Sequence, residues 1–185
     1  MATKTGTLVR DIVVTRVFDA PRELVFEAWT KPEHVTAWWG PKGYTTPFCT
    51  IDLRVGGECL SCMRSPEGKD FWSKGVYQEI VEPEKIVITD SFADAEGNIV
   101  PASQYGMGKE WPLELLVTVT FEDQDGKTKM TLRHAGIPTG EHGDMCQVGW
   151  SESFDKLAEY LAKASKTTSK ASFTRLQERD IKSSM

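Results

Sequence analysis

The chain has few of the residues and runs that indicate a secreted, membrane-spanning or metal-binding protein. Its 185 residues include only four cysteines and three histidines, which is too few for the disulfide framework of a small secreted domain. No apolar run approaches the roughly 18 residues needed to span a bilayer, and the first residues lack the apolar core of a secretory signal. We therefore expect a cytoplasmic protein with no membrane insertion. No phosphate-binding glycine loop or nucleophile elbow occurs, so we expect no cofactor and no metal.

The charge is acidic overall but uneven along the chain. The net charge is −5, while the segment from residue 163 onward carries six lysines or arginines and two acidic residues. The body is therefore at −9, which argues against nucleic acid as a partner. We predict an N-terminal extension over 1–7, one domain over 8–163, and a basic, flexible tail over 164–185.

One pair of cysteines has the spacing of a redox or zinc motif. Cys59 and Cys62 form a C-x-x-C pattern, but the surrounding residues are typical of a strand. Positions three apart on a strand point to opposite faces. The pattern therefore predicts neither a metal site nor a redox pair.

The order of the elements is the most informative feature of the sequence. An apolar run over 12–18 predicts a first strand, placed centrally in a sheet because both of its faces are fairly apolar. Pro21 and Pro32 each begin a short predicted helix. Turn residues then separate alternating runs. The predicted strands are 44–55, 58–65, 71–81, 85–92, 112–122 and 127–134.

The last predicted helix, over 141–163, carries one apolar stripe. Its members recur every three or four residues, as on one helix face: Cys146, Trp150, Phe154, Leu157 and Leu161. A curved antiparallel sheet with one apolar face requires such a cover, so we expect a cavity between the sheet and this helix. The connection over 93–111 is long, which is typical of a lid or a disordered loop.

Several motifs in this order resemble one known family. They are the Ala-Pro-x-Glu-x-Val-Phe-x-Ala-Trp-Thr-x-Pro-Glu run over 20–33, Trp38-Trp39-Gly40-Pro41, Asp52-x-Arg54-x-Gly56-Gly57, Gly75-Val76-Tyr77-x-Glu79-Ile80, Glu82-Pro83 and Gly149-Trp150. With these motifs the chain resembles the bacterial relatives of the activator of the ninety-kilodalton heat-shock-protein ATPase. That family belongs to the SRPBCC superfamily, also called START-like or birch-pollen-allergen-like. The resemblance implies an α+β helix-grip fold, β-α-α-β6-α, with a curved antiparallel sheet wrapped around a long C-terminal helix.

The resemblance implies a fold more firmly than an activity. Superfamily relatives bind lipids, hormones and polyketides, and some are cyclases. The eukaryotic activator uses its related domain beside a separate chaperone-binding domain, for which this chain has no room. Fold analogy alone does not establish function.

Candidate ligand-binding residues are large apolar groups and a few polar groups placed to converge on a cavity. We predict this set: Arg16, Trp72, Tyr77, Phe92, Met107, Trp111, His134, Met145 and Trp150. Arg16 shares a face with apolar residues of the first strand. If buried there, it needs a partner such as Asp52, Glu58 or Glu114; the alternatives are an exposed edge position or an anchor for a ligand carboxylate or carbonyl. His134 is the one weak catalytic candidate, because imidazole titrates near neutrality.

Three functions remain open from the sequence. The first is a binding module for a small hydrophobic or amphipathic molecule, with little or no catalysis. The second is a cyclase or hydrolase in which His134 and Arg16 polarise a bound carbonyl. The third is a protein-interaction role, either as a co-chaperone-like partner of a chaperone or as a homodimer.

Overall fold

A seven-stranded antiparallel sheet and a long C-terminal helix make up the computed structural model, which describes residues 7–182 and the side chains of residues 7–167. Within this range the elements follow in the order β1 (Val9–Phe18), α1 (Arg22–Thr30), α2 (Pro32–Trp38), β2 (Thr45–Ile51), β3 (Glu58–Arg64), β4 (Asp70–Val81), β5 (Lys85–Ala93), β6 (Leu115–Gln124), β7 (Lys127–Pro138) and α3 (Glu141–Lys182). This order confirms the predicted helix-grip fold.

The sheet places the first and second strands at opposite edges. Its order is β1-β7-β6-β5-β4-β3-β2, so the prediction that the first strand is central was wrong. Val13 and Val17 are more than half exposed on the outer face. Apolar residues on both faces of a strand therefore do not show that the strand is central, since an edge strand can also carry exposed valines.

The concave face of the sheet and α3 together form the main core. Phe154, Leu157 and Leu161 of the predicted stripe are at most 2% exposed and pack against buried residues of β6 and β7. Complete burial of such a side chain contributes about 1.5–3 kcal/mol. This face of α3 is therefore a principal source of the stability of the fold.

Two short helices form a corner that is fixed by proline and by a tryptophan. Lys31, just before Pro32, is extended (φ −106°, ψ 122°), because the proline ring disfavours the helical conformation of the preceding residue. The chain turns there, and Pro32 begins α2. The buried indole of Trp38 donates a 2.9 Å hydrogen bond to the carbonyl of Ala28, which holds the two helices at a fixed angle.

A lysine of α3 holds the loop that follows this corner. The ammonium of Lys156 lies 3.0–3.4 Å from four backbone carbonyl oxygens, those of Trp39, Gly40, Pro41 and Tyr44. The carbonyls of Trp39 and Pro41 also accept from the Thr46 hydroxyl and the Tyr44 N–H, so Lys156 adds a shared charged donor to this loop. The contact ties α3 to the far edge of the sheet.

The long connection after β5, predicted as a lid or a disordered loop, contains regular structure, and α3 is longer than predicted. The connection contains a 3-10 helix, Ala102–Tyr105, and the Tyr105 hydroxyl donates to the carbonyl of Ala93 at the end of β5. Helix α3 continues past the predicted end at 163 to Lys182. The flexibility predicted for 164–185 stays a prediction, and residues 1–6 and 183–185 lie outside the described part.

Candidate ligand-binding site

An apolar cavity of about 50 Å³ lies between the helical corner and the concave face of the sheet. Its lining comes from α1, α2 or the residue after it, and four strands: Trp29, Val35, Trp39, Ile51, Cys59, Ser61, Tyr77, Ile86 and Ile88. The sequence predicted a cavity against the last helix. No α3 side chain lines it, because Trp29 and Trp39 stand between the cavity and Trp150.

The register of the strands explains why these residues share one face. Ile51 pairs with Cys59 across β2 and β3, and Tyr77 pairs with Ile88 across β4 and β5. Gly75 permits a close approach between β4 and β5, since an added Cβ would lie 2.7 Å from the Ile88 side chain. The absence of a side chain at Gly75 therefore lets Ile88, which lines the cavity, lie close to β4.

Trp39 supplies an unpaired hydrogen-bond donor in the cavity wall. Its ring makes edge-on contacts with Trp29 at 5.8 Å and with Trp150 at 5.5 Å between centroids. The indole Nε1 is buried and has no hydrogen-bond partner among the described residues. Leaving a buried donor unpaired costs about 1–3 kcal/mol.

Trp150 connects the cavity wall to His134. The Trp150 indole stacks on Trp29 with centroids 6.2 Å apart and donates a 3.1 Å hydrogen bond to Nδ1 of His134. An indole N–H can only donate, so Nδ1 must be the acceptor. The neutral ring therefore carries its proton on Nε2.

The other nitrogen of His134 faces a carboxylate. Nε2 lies 3.3 Å from Oδ2 of Asp90, although the N–H direction does not meet the geometry of a hydrogen bond. We therefore treat this pair as an electrostatic contact. No partner for His134 could be predicted from spacing, because Asp90 is 44 positions away and becomes a neighbour only through the pairing of β5, β6 and β7.

Cys146 lies beside the same histidine but is not an activated thiol. Its sulfur is 3.9 Å from Nδ1 of His134. Burial, followed by the charge of Asp90, raises the pKa of the Cys146 thiol to about 12. The thiol therefore stays protonated near neutral pH, and the thiolate is the form that acts as a nucleophile.

Arg16 lies on the concave side as predicted, but its partners differ from the three proposed. Its guanidinium donates a 2.6 Å hydrogen bond to the Ser151 hydroxyl and lies 3.7 Å from the Asp155 carboxylate. The side chain is 36% exposed at the edge of the sheet. It connects β1 to α3 and does not line the cavity.

Of the other candidates, Tyr77 lines the cavity, and the rest are distributed around the sheet. Trp72 packs against Phe48 on the outer face, with centroids 5.3 Å apart. Phe92 lies on the concave face and contacts Tyr105 at 5.3 Å and Trp111 at 6.5 Å. Met107 is half-buried in the connection after β5, and Met145 is 61% exposed on α3. The structure therefore joins Tyr77 to the cavity and the His134–Trp150 pair to its back wall.

The cavity residues that sequence reasoning missed come from the helical corner and from strands β2, β3 and β5. The interpretation from sequence was that Trp39, with Trp38, anchors the helical corner to the sheet. The adjacent Trp38 and Trp39 do give one signal. On a helix end only one of two neighbouring rings can occupy the same core position, and Trp38 is the fully buried one.

A larger depression, of about 460 Å³, lies on the β2–β3 hairpin and is open to solvent. Its lining is mainly polar and includes Asp52, Arg54 and Glu58. Such a surface does not suit an apolar ligand. Within residues 7–167, no cluster of three or more metal-ligating side chains occurs. No helix in the described part of the chain is long and apolar enough to cross a membrane.

The sequence profile of the family described as "Activator of Hsp90 ATPase homolog 1-like protein" matches residues 19–162. The chain belongs to this family. Proteins of its SRPBCC-type fold generally bind ligands. A comparison with curated proteins found no match.

Solved structures of similar proteins share the fold. A protein from Nitrosomonas europaea is 23% identical with a TM-score of 0.68, covering 84% of this chain and 96% of its own. One from Chromobacterium violaceum is 27% identical with a TM-score of 0.66, covering 82% and 96%. An AHSA1 protein from Silicibacter pomeroyi is 24% identical with a TM-score of 0.67, covering 84% and 99%.

Proposed function

We propose that this protein binds a small hydrophobic or amphipathic molecule in the cavity between the helical corner and the sheet. The observation that carries the proposal is the apolar lining combined with the unpaired indole N–H of Trp39. An apolar pocket with few polar groups is the usual form of a small-molecule site. We infer a ligand with an apolar body and one acceptor, such as a carbonyl or hydroxyl oxygen.

The size of the cavity restricts how such a ligand binds. Pockets for drug-sized ligands occupy about 300–1,000 Å³, and this cavity holds about 50 Å³. A larger ligand therefore requires movement of the wall. Trp39 and Trp150 are the half-buried rings of that wall and its backing, so we expect their displacement to accompany binding.

A second candidate function is catalysis of the cyclase or hydrolase type, which the contact between His134 and Asp90 favours. In this arrangement Nδ1 accepts from Trp150 and Nε2 faces Asp90. Neither nitrogen faces a residue of the cavity lining, whereas a general base must lie within hydrogen-bond reach of the proton that it removes. Binding is therefore the better supported function.

A thermal-shift screen of the purified protein with fatty acids, sterols, flavonoids and aromatic polyketides tests the proposal. A ligand at 100 times its dissociation constant adds about 2.7 kcal/mol, a shift of roughly 5–10 °C in a domain of this size. Ile88→Trp should fill the cavity and abolish the shift. Trp39→Phe keeps the ring, removes the donor and should weaken binding of ligands with an acceptor.

Met145→Ala is the matched control, because this exposed methionine lies outside the cavity lining. A ligand shift that persists in Ile88→Trp would contradict the cavity as the site. Turnover of a bound ester or ketone that disappears in His134→Ala would favour the catalytic alternative. The chaperone or homodimer partner and the cytoplasmic location stay predictions.

A further inference from the structure

Two cysteines that are ten positions apart become neighbours on the concave face. Cys49 lies on β2 opposite Ser61, and Cys59 lies on β3 opposite Ile51. Cys49 and Cys59 are therefore diagonal neighbours on one face of an antiparallel pair. This pair is distinct from the C-x-x-C pattern, since Cys62 points to the other face of β3.

The two neighbouring thiols differ in the direction of their pKa shifts. The nearby Cys59 thiol lowers the pKa of Cys49, against the opposing effect of burial. The nearby Cys49 thiol, followed by burial, raises the pKa of Cys59. Cys49 is the thiol that more readily becomes a nucleophilic thiolate.

Both cysteines are half-buried. Cys49 lies on β2, an edge strand of the sheet, and Cys59 belongs to the lining of the cavity. A thiol with a lowered pKa beside a second thiol is the usual arrangement of a redox-sensitive pair.

We propose that Cys49 and Cys59 are a peroxide-sensitive thiol pair that closes into an intramolecular disulfide. In the first step the Cys49 sulfur attacks the O–O bond of a peroxide ROOH, giving the sulfenic acid Cys49–SOH and ROH. In the second step the Cys59 thiol attacks that sulfur, the new S–S bond forms, and water leaves. The two thiols are oxidised by two electrons in total, and the peroxide is reduced.

Closure requires a modest movement of β2. Diagonal neighbours have Cα atoms about 7–8 Å apart, at the limit that a disulfide can bridge without backbone movement. As an edge strand, β2 has a partner on one side only, and its register is already irregular between Thr45 and Phe48. The strand can therefore be drawn toward β3.

The other two cysteines provide internal controls. Cys62 is buried, and burial raises the pKa of its thiol. Cys146 has a pKa raised to about 12 and lies across the fold beside His134. Both should react more slowly than Cys49.

The experiment treats the full-length reduced protein with hydrogen peroxide, blocks the remaining thiols with N-ethylmaleimide, and maps the peptides by mass spectrometry. We expect two of the four thiols to disappear, with the protein lighter by two hydrogen atoms and one linked pair of peptides, containing Cys49 and Cys59. Without peroxide, Cys49 should be alkylated faster than Cys62, because its pKa is lowered while that of Cys62 is raised and the thiolate is the reactive form.

Variants separate the two steps of the reaction. Cys59→Ser should stop at a sulfenic acid on Cys49 that dimedone traps, while Cys62→Ser should leave the disulfide unchanged. Equal oxidation of all four thiols, a disulfide between two chains, or no loss of Cys49 would overturn the proposal. The wild-type peptide map decides the matter even if a variant folds poorly. No ligand is needed, so the outcome is independent of the proposed function.

Discussion

Trp150→Phe tests the hydrogen bond that connects the last helix to the sheet behind the cavity. The substitution keeps an aromatic ring but removes the donor that lies 3.1 Å from Nδ1 of His134. His134 is 2% exposed, so its Nδ1 would remain buried with only the weak thiol donor of Cys146, 3.9 Å away. That costs about 1–3 kcal/mol, and the smaller ring adds a packing loss.

The loss should be measured by urea unfolding followed by circular dichroism, since the substitution itself changes tryptophan fluorescence. A loss of 1–3 kcal/mol corresponds to a melting temperature roughly 2–12 °C lower in a domain of this size. Met145→Ala, on the exposed face of the same helix, should stay within about 0.5 kcal/mol of the wild type.

A double-mutant cycle isolates the hydrogen bond from the packing loss. His134→Phe removes the buried acceptor, so Trp150→Phe should cost less in that background than in the wild type. We expect a coupling of about 0.5–3 kcal/mol between these contacting residues. An identical cost in both backgrounds would refute the reasoning, because the bond would then contribute nothing to stability.

Three further predictions concern the loop contact, the glycines and acid stability. Lys156→Met should lower the free energy of unfolding by about 1–3 kcal/mol, because it removes the charged donor that the carbonyls of Gly40 and Tyr44 share; an unchanged urea midpoint would contradict this. Gly75→Ala should destabilise by about 1–3 kcal/mol, as its Cβ would lie 2.5 Å from a backbone oxygen of β5. Gly149→Ala should instead stabilise α3 by up to about 1 kcal/mol, since its nearest neighbour would be 3.5 Å away. Hydrogen bonds lower the pKa values of Asp11 and Asp94, so their contribution is present above pH about 4 and is lost as pH falls. The pH dependence of melting should be shallower in Asp94→Asn, and an equal slope would count against this role.

The sequence predicted those parts of the fold in which the spacing of apolar residues is typical of only one kind of element, a helix or a strand. The three- and four-residue spacing from Trp150 to Leu161 indicated the inward face of α3. Phe154, Leu157 and Leu161 are buried, and the half-buried Trp150 packs against the core. Alternation over 115–121 likewise predicted the inward face of β6. Both patterns are local, so they do not depend on which strands become neighbours.

The cavity lining depends on register, which the sequence does not reveal. Tyr77 meets Ile88 only after an irregularity in the pairing of β4 and β5, between Tyr77 and Glu79. Trp72 appeared equivalent to Tyr77, yet the five-residue separation places it on the opposite face of the strand. Asp90 reaches His134 across β6, a relation that no spacing in the chain encodes.

The most direct test of ligand binding in the cavity is the nuclear magnetic resonance signal of the tryptophan indole N–H groups, of which the chain has six. A ligand from the screen should shift the Trp39 signal in a saturable manner, because that N–H has no partner among the described residues and would gain an acceptor. The Trp38 signal should stay in place, since its N–H already bonds the carbonyl of Ala28. If a ligand binds and the Trp39 signal does not move, the cavity is not the binding site.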